Sequence, residues 1–186
     1  MTDWDKRYRA GEHVNDEPHP LIPGFAVKFQ PGRALDLACG VGRHAVWLAE
    51  HGWQVTAVDS SPAAIEILQQ KAHDRGAPVQ CVLADLERHE FKIERGAYDL
   101  IVVVKYLQRD LLGAIRAGVR PGGAVIAVIA MVDDDPGVRP MNSEYLMNPG
   151  ELCGEFRGWQ LLHELEGKPE GDPSRRAMAE IVAVLL

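Results

Sequence analysis

Cysteine is scarce in this chain of 186 residues, and its three thiols, Cys39, Cys81 and Cys153, are too few and too scattered for a disulfide framework or a zinc site. They read as reduced thiols. No apolar run approaches the roughly 20 residues that a membrane span needs. The opening MTDWDKRYRAGEH is too charged for a signal peptide, so the expected location is the cytoplasm. Surplus positive charge is also missing. A net charge of -7 argues against nucleic acid as a partner, because phosphate backbones need clustered cations. No repeat and no low-complexity segment interrupts the chain. His13 and His19 flank Asp16 and Glu17, and Asp133, Asp134 and Asp135 run together, but neither group has the spacing of a known ligand set. Both read as solvated segments, and no metal is expected.

What is present is a hydrophobic content of 46%, enough for one domain of ordinary size over residues 1–186, with residues 1–30 as an N-terminal lid or lead-in. Apolar patterning predicts a short helix over 4–9, a polar, proline-bearing lead-in over 11–23 and an apolar patch at 25–29. Strands are expected at 33–37, 54–58, 79–83, 99–104 and 124–130, with helices at 41–51, 62–75 and 109–117 between them. Pro121, Gly122 and Gly123 turn the chain into the fifth strand. A helical stretch at 149–156 then precedes strands at 160–165 and 177–186. Alternation of this kind is the pattern of an α/β, Rossmann-like three-layer sandwich. The connection between the last two strands, about ten residues, is too short for a helical crossover, so one of the two must run antiparallel.

The densest chemistry lies in ALDLACGVGRHA at residues 34–45. Here a short apolar strand meets Gly40 and Gly42, which let the backbone turn against a ligand with no side chain in the way. The helix that follows points its first amide groups at the same loop. Asp59 closes the next apolar run, where a carboxylate at a strand tip can accept both hydrogens of a ribose diol. The run GVGRHA also fits the dinucleotide fingerprint in its form with a final alanine, and that match alone is weak. Asp36 discriminates between cofactors. An acid inside the first strand repels a pyrophosphate and suits a cationic amino acid.

On these residues the chain resembles the class I S-adenosylmethionine-dependent methyltransferases, whose seven-stranded, mostly parallel sheet has an antiparallel last strand. The resemblance implies S-adenosyl-L-methionine as cofactor and S-adenosyl-L-homocysteine as product. It assigns Gly40, Gly42 and Arg43 to the methionine end of the cofactor and Asp59 to the ribose hydroxyls. Asp85, in CVLADLE, falls to the adenine amino group, with the Leu86 amide beside the ring. Asp36, Ala38, Ser60 and Val104 complete the expected cofactor-binding set. Each acid also has a plainer reading: Asp85 as a helix N-cap, Asp59 as a cap on the helix near Pro62, Asp36 as an acceptor of loop amides. Within the superfamily the chain is similar to the tellurite-resistance (TehB-like) group. That likeness rests on WDKRYR, LDLACGVGRHAVWLAEHGWQVTAVDSSPAAIE, YDLIVVVKYLQRDLL and PGELCGEFRGWQLL. Members implicated in tellurite chemistry tend to carry a His-Arg pair before the last strand. Here residues 166–176 hold no histidine, and only Arg175 and Arg176 offer the charge.

The expected acceptor is therefore a small molecule: a thiol, a tellurite- or selenite-type oxyanion or another small metabolite. A soft or anionic nucleophile needs no general base, and no catalytic residue is identified. The chain lacks the Asn-Pro-Pro-Tyr and Asp-Pro-Pro-Tyr signatures of amino methylation on DNA bases and the Pro-Cys pair of cytosine methylation. Candidate substrate-pocket residues are Trp4 and Tyr8 on the first helix, and Lys105, Tyr106 and Arg109 after the fourth strand. Trp4 and Tyr8 can equally serve as packing at the domain edge, and Arg109 as an exposed helix-start residue. Two other readings stay open. A dinucleotide-dependent oxidoreductase is opposed by Asp36, the short last connection and the absence of a Tyr-x-x-x-Lys pair. A non-catalytic cofactor-binding module is favoured by the missing base and opposed by the intact loop.

Overall fold

Alternating apolar runs along the chain become alternating strands and helices in the computed structural model, which describes residues 3–12, 14–168 and 176–186. The order is α1 (Asp3–Arg9), α2 (Leu21–Ala26), β1 (Arg33–Leu37), α3 (Arg43–Glu50), β2 (Gln54–Asp59), α4 (Pro62–Asp74), β3 (Val79–Leu83), β4 (Tyr98–Val104), α5 (Arg109–Gly118) and β5 (Val119–Ala130). A 3-10 turn (Ser143–Tyr145), α6 (Glu151–Glu155), β6 (Gln160–Gly167) and β7 (Met178–Val184) follow. His13 and Arg175 lie outside the described residues.

All seven strands join one sheet in the order β3-β2-β1-β4-β5-β7-β6. The first five are parallel, and β7 runs antiparallel between β5 and β6. The short final connection thus produced the antiparallel strand that it required. Side-chain alternation splits the core into two layers. Leu35, Leu37, Ile101, Val103, Val125 and Ala127 face α5 and α6. Ala34, Leu100, Val102, Ile126 and Val182 face α2, α3 and α4. Asp36 has the parity of Ala34, so its carboxylate enters the second apolar layer instead of solvent.

Among the boundaries that differ from the expected ones, three have a local reason. Helix α2 forms inside the stretch expected to be a lead-in and an apolar patch, because Leu21, Ile22 and Ala26 are buried against that second layer. Pro23 hid it in the sequence, yet a proline in the first turn sacrifices no intrahelical hydrogen bond. Helix α3 starts at Arg43 and not at 41, since Gly42 precedes it in the left-handed conformation, φ 76°. Strand β5 begins at Val119 and carries Pro121, Gly122 and Gly123 within it, with a register shift against β4 between Tyr98 and Leu100.

Helix α1 docks on the start of α4 through Asp5, which is 2% exposed. Its carboxylate accepts the Ser61 hydroxyl at 2.9 Å, the Ala63 amide at 3.0 Å and the Arg9 Nε at 3.1 Å. The Ala63 amide leads in holding Asp5 below the usual carboxylate range. Ser61 in turn caps α4, its hydroxyl accepting from the Ala64 amide at 3.2 Å.

Two outcomes check this account. Leu100→Ala, which empties a fully buried position in the central strand β4, should lower the unfolding free energy by about 2–5 kcal/mol in urea titration. Asp5→Ala should leave the sheet protected and accelerate amide exchange in α1, because no other carboxylate would satisfy Ser61 and Ala63. Unchanged exchange over residues 3–10 would show that packing alone holds the helix.

Candidate functional site

Beyond the end of β1 the backbone turns through Ala38, φ 51°, and Gly40, φ 54°, before Gly42 starts α3. A left-handed alanine is strained, and such residues concentrate where a loop must hold a particular shape. Two glycines are needed here for space as well as conformation. A Cβ on Gly40 would lie 2.8 Å from the Tyr8 hydroxyl, and one on Gly42 would collide with Leu68. Tyr8 therefore sits directly over the loop, brought there by the docking of α1. Burial, reinforced by Asp59, pushes its phenol up, so it stays protonated. Trp4 stacks on Tyr8 with ring centroids 5.9 Å apart and remains about half exposed.

Asp59, at the tip of β2, ties this loop to the next. One carboxylate oxygen accepts the Gly40 amide at 2.8 Å and the other the Ser61 amide at 2.9 Å. Each oxygen keeps a second lone pair, so the contacts leave capacity for further donors. Burial raises its proton affinity while the Ser61, Gly40 and Ser60 amides oppose the rise. Asp36 is 1% exposed, and its Oδ2 has no hydrogen-bond partner among the described residues. Burial and the nearby Asp59 push Asp36 up to about 8, against the pull of the Ala45 amide and Arg43. Cys39, between the two acids, is likewise pushed up by burial and held as a neutral thiol.

The remaining candidates divide by what already holds them. The carboxylate of Asp85 accepts the Glu87 amide at 3.0 Å and the Arg88 amide at 3.3 Å, capping the turn that contains Leu86. Leu86 and Val104 are buried, while Ser60 is exposed. Lys105 has φ 60° directly after β4, with its amide bonded to the Val128 carbonyl. Tyr106 donates its hydroxyl to Gln108 at 2.7 Å, and burial raises its phenol. Arg109 grips Glu151 at 2.6 and 3.0 Å and donates to the Glu144 and Leu146 carbonyls. Its guanidinium is engaged in pinning residues 144–151 to the start of α5.

Sequence reasoning passed over several polar groups. Beyond Arg9, the partners of Asp5 were not visible, since Ser61 and Ala63 are more than 50 residues away. His44 is 5% exposed in the middle of the glycine motif, and its Nε2 has no partner among the described residues. Glu180 lies between two imidazoles, 3.7 Å from His19 and 2.9 Å from His163. Strand parity would have placed Glu180 on the α2 face, but only the fold brings His19 to it. Among the described residues no group of three or more His, Cys, Asp or Glu could hold a metal ion, and no helix is long and apolar enough to cross a membrane.

Comparison with known proteins gives this geometry relatives. Residues 34–123 match a family described as a methyltransferase domain. The chain is 31% identical over 163 residues to hemagglutinin 1 of Eikenella corrodens, covering 83% of this chain and 53% of that protein. It is 26% identical over 159 residues to TehB of Haemophilus influenzae, covering 82% of this chain and 54% of that one. The chain thus spans about half the length of these curated relatives. The crystal structure of TehB from Haemophilus influenzae superposes with a TM-score of 0.79 at 23% identity, covering 98% of this chain and 67% of that one. A Burkholderia thailandensis 1,6-didemethyltoxoflavin-N1-methyltransferase, with 1,6-didemethyltoxoflavin and S-adenosylhomocysteine bound, superposes with a TM-score of 0.71 at 20% identity, covering 99% of this chain and 86% of that one. Residues 34–123 thus carry a methyltransferase domain, and by its sheet, its glycine loop and these relatives the chain is similar to S-adenosylmethionine-dependent methyltransferases such as TehB.

Proposed function

We propose that the protein transfers a methyl group from S-adenosyl-L-methionine to a small-molecule acceptor. The observation that carries this reading is Asp36: a buried carboxylate with an orphaned oxygen, beside a loop whose two glycines leave no room for a Cβ. An unsatisfied buried polar atom costs about 1–3 kcal/mol. The bound ammonium of a methionine moiety would remove that cost, whereas a pyrophosphate would add repulsion from Asp36 and Asp59. The donor set fits the cofactor along its length. Asp36, Ala38, Gly40, Gly42 and Arg43 would hold the amino-acid end, Asp59 and Ser60 the ribose, and Asp85, Leu86 and Val104 the adenine. When bound, the cofactor supplies an electrophilic methyl on a sulfonium.

The chain's own contribution is alignment and exclusion of water. An in-line displacement gains most from fixed geometry, for which effective molarities reach roughly 10⁵–10⁸ M. Tyr8 and Trp4, carried by α1 and anchored through Asp5, form the lid of the N-terminal segment. Lys105 and Tyr106 border the acceptor side, and Arg109 acts on that side by fixing residues 144–151. The small heteroaromatic molecule bound by the Burkholderia relative supports a small acceptor, as does a net charge of -7, which disfavours nucleic acid. Thiols and small oxyanions remain the acceptor classes that need no general base. The cytoplasm is the compartment that suits three free thiols.

Thermal melting with S-adenosylhomocysteine tests the reading. At a hundredfold its dissociation constant the ligand should stabilise the protein by about 2.7 kcal/mol, whereas a shift with NAD alone would sink it. Linkage gives a sharper check. The folded-state pKa of Asp36 lies above its ordinary 3.8, so the folded protein holds a proton that the unfolded chain has lost. Its contribution to apo stability is therefore full at low pH and declines as pH rises toward about 8. Binding an ammonium should restore the carboxylate and release a proton near pH 7, seen by calorimetry as a dependence of binding heat on buffer ionisation. In Asp36→Asn this dependence should vanish and the affinity fall by roughly ten- to a hundredfold, the equivalent of one charge-assisted hydrogen bond.

A further inference from the structure

The connections from β1 to β2, β2 to β3 and β4 to β5 each run through a helix, but residues 84–97, between β3 and β4, form none. Parallel strands usually rely on such a helix to shape the crossover. Individual hydrogen bonds shape this one instead. The Asp85 amide donates to Glu90 Oε2 at 2.9 Å, the Glu87 and Arg88 amides donate to Asp85 Oδ1, and the His89 amide donates to the Leu86 carbonyl at 3.0 Å. The same turn holds the two groups that the proposed reading gives to the purine, the Asp85 carboxylate and the Leu86 amide. No hydrogen bond engages that amide among the described residues. All of the bonds just named lie within the turn, so none fixes its place against β4. Burial of Leu86 in the layer under α5 is non-directional and sets no register.

Two side chains at the start of α5 reach the turn. His89 Nε2 lies 3.3 Å from Asp110 Oδ2, with both side chains mostly exposed, so solvent screens the pair and its contribution is small. Gln108, half-buried, makes the inner tie. Its Nε2 donates to the Leu86 carbonyl at 3.2 Å, while its Oε1 accepts the Tyr106 hydroxyl at 2.7 Å. The carbonyl can only accept, so this orientation of the amide is the one that satisfies it. Gln108 also stands at the N-cap of α5, where its side chain makes no capping bond. Serine, aspartate or asparagine would stabilise that helix start. A glutamine that leaves the helix uncapped and joins two other segments is a local departure of the kind found at functional positions. We propose that Gln108 is a positioning residue for the purine: by holding the Leu86 carbonyl to Tyr106 and the start of α5, it sets the place of the Leu86 amide and with it the selection of adenine. The inference rests on the proposed methyl-transfer reading and adds a residue that selects the cofactor's base.

Calorimetric titration with S-adenosylhomocysteine and its deaminated form, S-inosylhomocysteine, tests the proposal. Adenine offers a donor amino group and an acceptor N1, and hypoxanthine reverses both, so the unmutated protein should prefer the first ligand by roughly a hundredfold or more. Gln108→Met, of similar length but without hydrogen-bonding groups, should cut that preference by about tenfold, with the loss falling on S-adenosylhomocysteine alone. Gln108→Ser should do the same while holding or raising the melting temperature, since serine supplies the missing cap. Equal weakening of both ligands would overturn the proposal, because a tie that only supports the fold does not read the base. An intact preference in Gln108→Met would overturn it as well, even if Gln108→Ser fails to fold, and so would an unmutated protein that binds both ligands equally. If the unmutated protein binds neither ligand, the methyl-transfer reading fails and the inference with it. Binding with a preference that the variants keep removes the role of Gln108 alone.

Discussion

The organisation of the site depends on two carboxylates held inside an apolar layer. Asp36 and Asp59 end neighbouring parallel strands on the face packed by α3 and α4, where Ala34, Ala57 and Val102 are buried. Placing acids there is costly, and the structure offsets it unequally. Asp59 takes two backbone amides and becomes the tie that fixes the glycine loop to the segment before α4. Asp36 has the Ala45 amide on one side and no partner among the described residues on the other, and burial raises its proton affinity. A stability-optimised strand would carry valine at that position. An acid kept there under strain is the kind of local inconsistency expected at a functional site.

From that pair follows a division of charge across the sheet. Acids occupy the ends of β1, β2 and β3, and cationic or protonatable groups gather near α3, β4 and β7. In the proposed reading, a cofactor that is cationic at its sulfonium and amino end is drawn to the first group. Docking of α1 sets the remaining boundary. Because Asp5 completes the N-terminus of α4, the helix that carries Tyr8 over Gly40 is anchored to the same segment that Asp59 grips. Helix α1 and the loop thus share one set of hydrogen bonds, so a disturbance at Ser61 is felt in both.

The sequence made the sheet legible because each strand has its own apolar run and each crossover its own helical period, and both are local properties. The short final connection fixed the antiparallel strand by a steric limit that needs no tertiary knowledge. Asp36, Asp59 and the glycines were readable for the same reason: position relative to a strand end is local. Helix α2 was hidden, since its proline and polar surroundings speak for a loop and only burial of Leu21 and Ile22 speaks otherwise. The Asp5–Ser61 tie, the engagement of Arg109 with Glu151, and the meeting of His19, Glu180 and His163 join distant segments. No spacing rule reaches them. His44 was in plain view inside the motif, but its orphaned nitrogen is a property of packing.

Strain marks where these features converge. Ala38 and Lys105 are non-glycine residues in the left-handed region, at the ends of β1 and β4. Each conformation costs about 1–2 kcal/mol and persists only if its surroundings impose it. Those two strands are neighbours, and between them the sheet reverses its order: the chain winds one way through β2 and β3 and the other way through β4 and β5. At such a reversal the two adjoining connections leave in opposite directions, and a crevice opens beyond the strand ends. Ala38 bends one wall of that crevice toward the acids, and Lys105 begins the other, its amide held by the Val128 carbonyl. The topology therefore supplies the opening, and the two strained residues turn both connections sharply where they leave the strands.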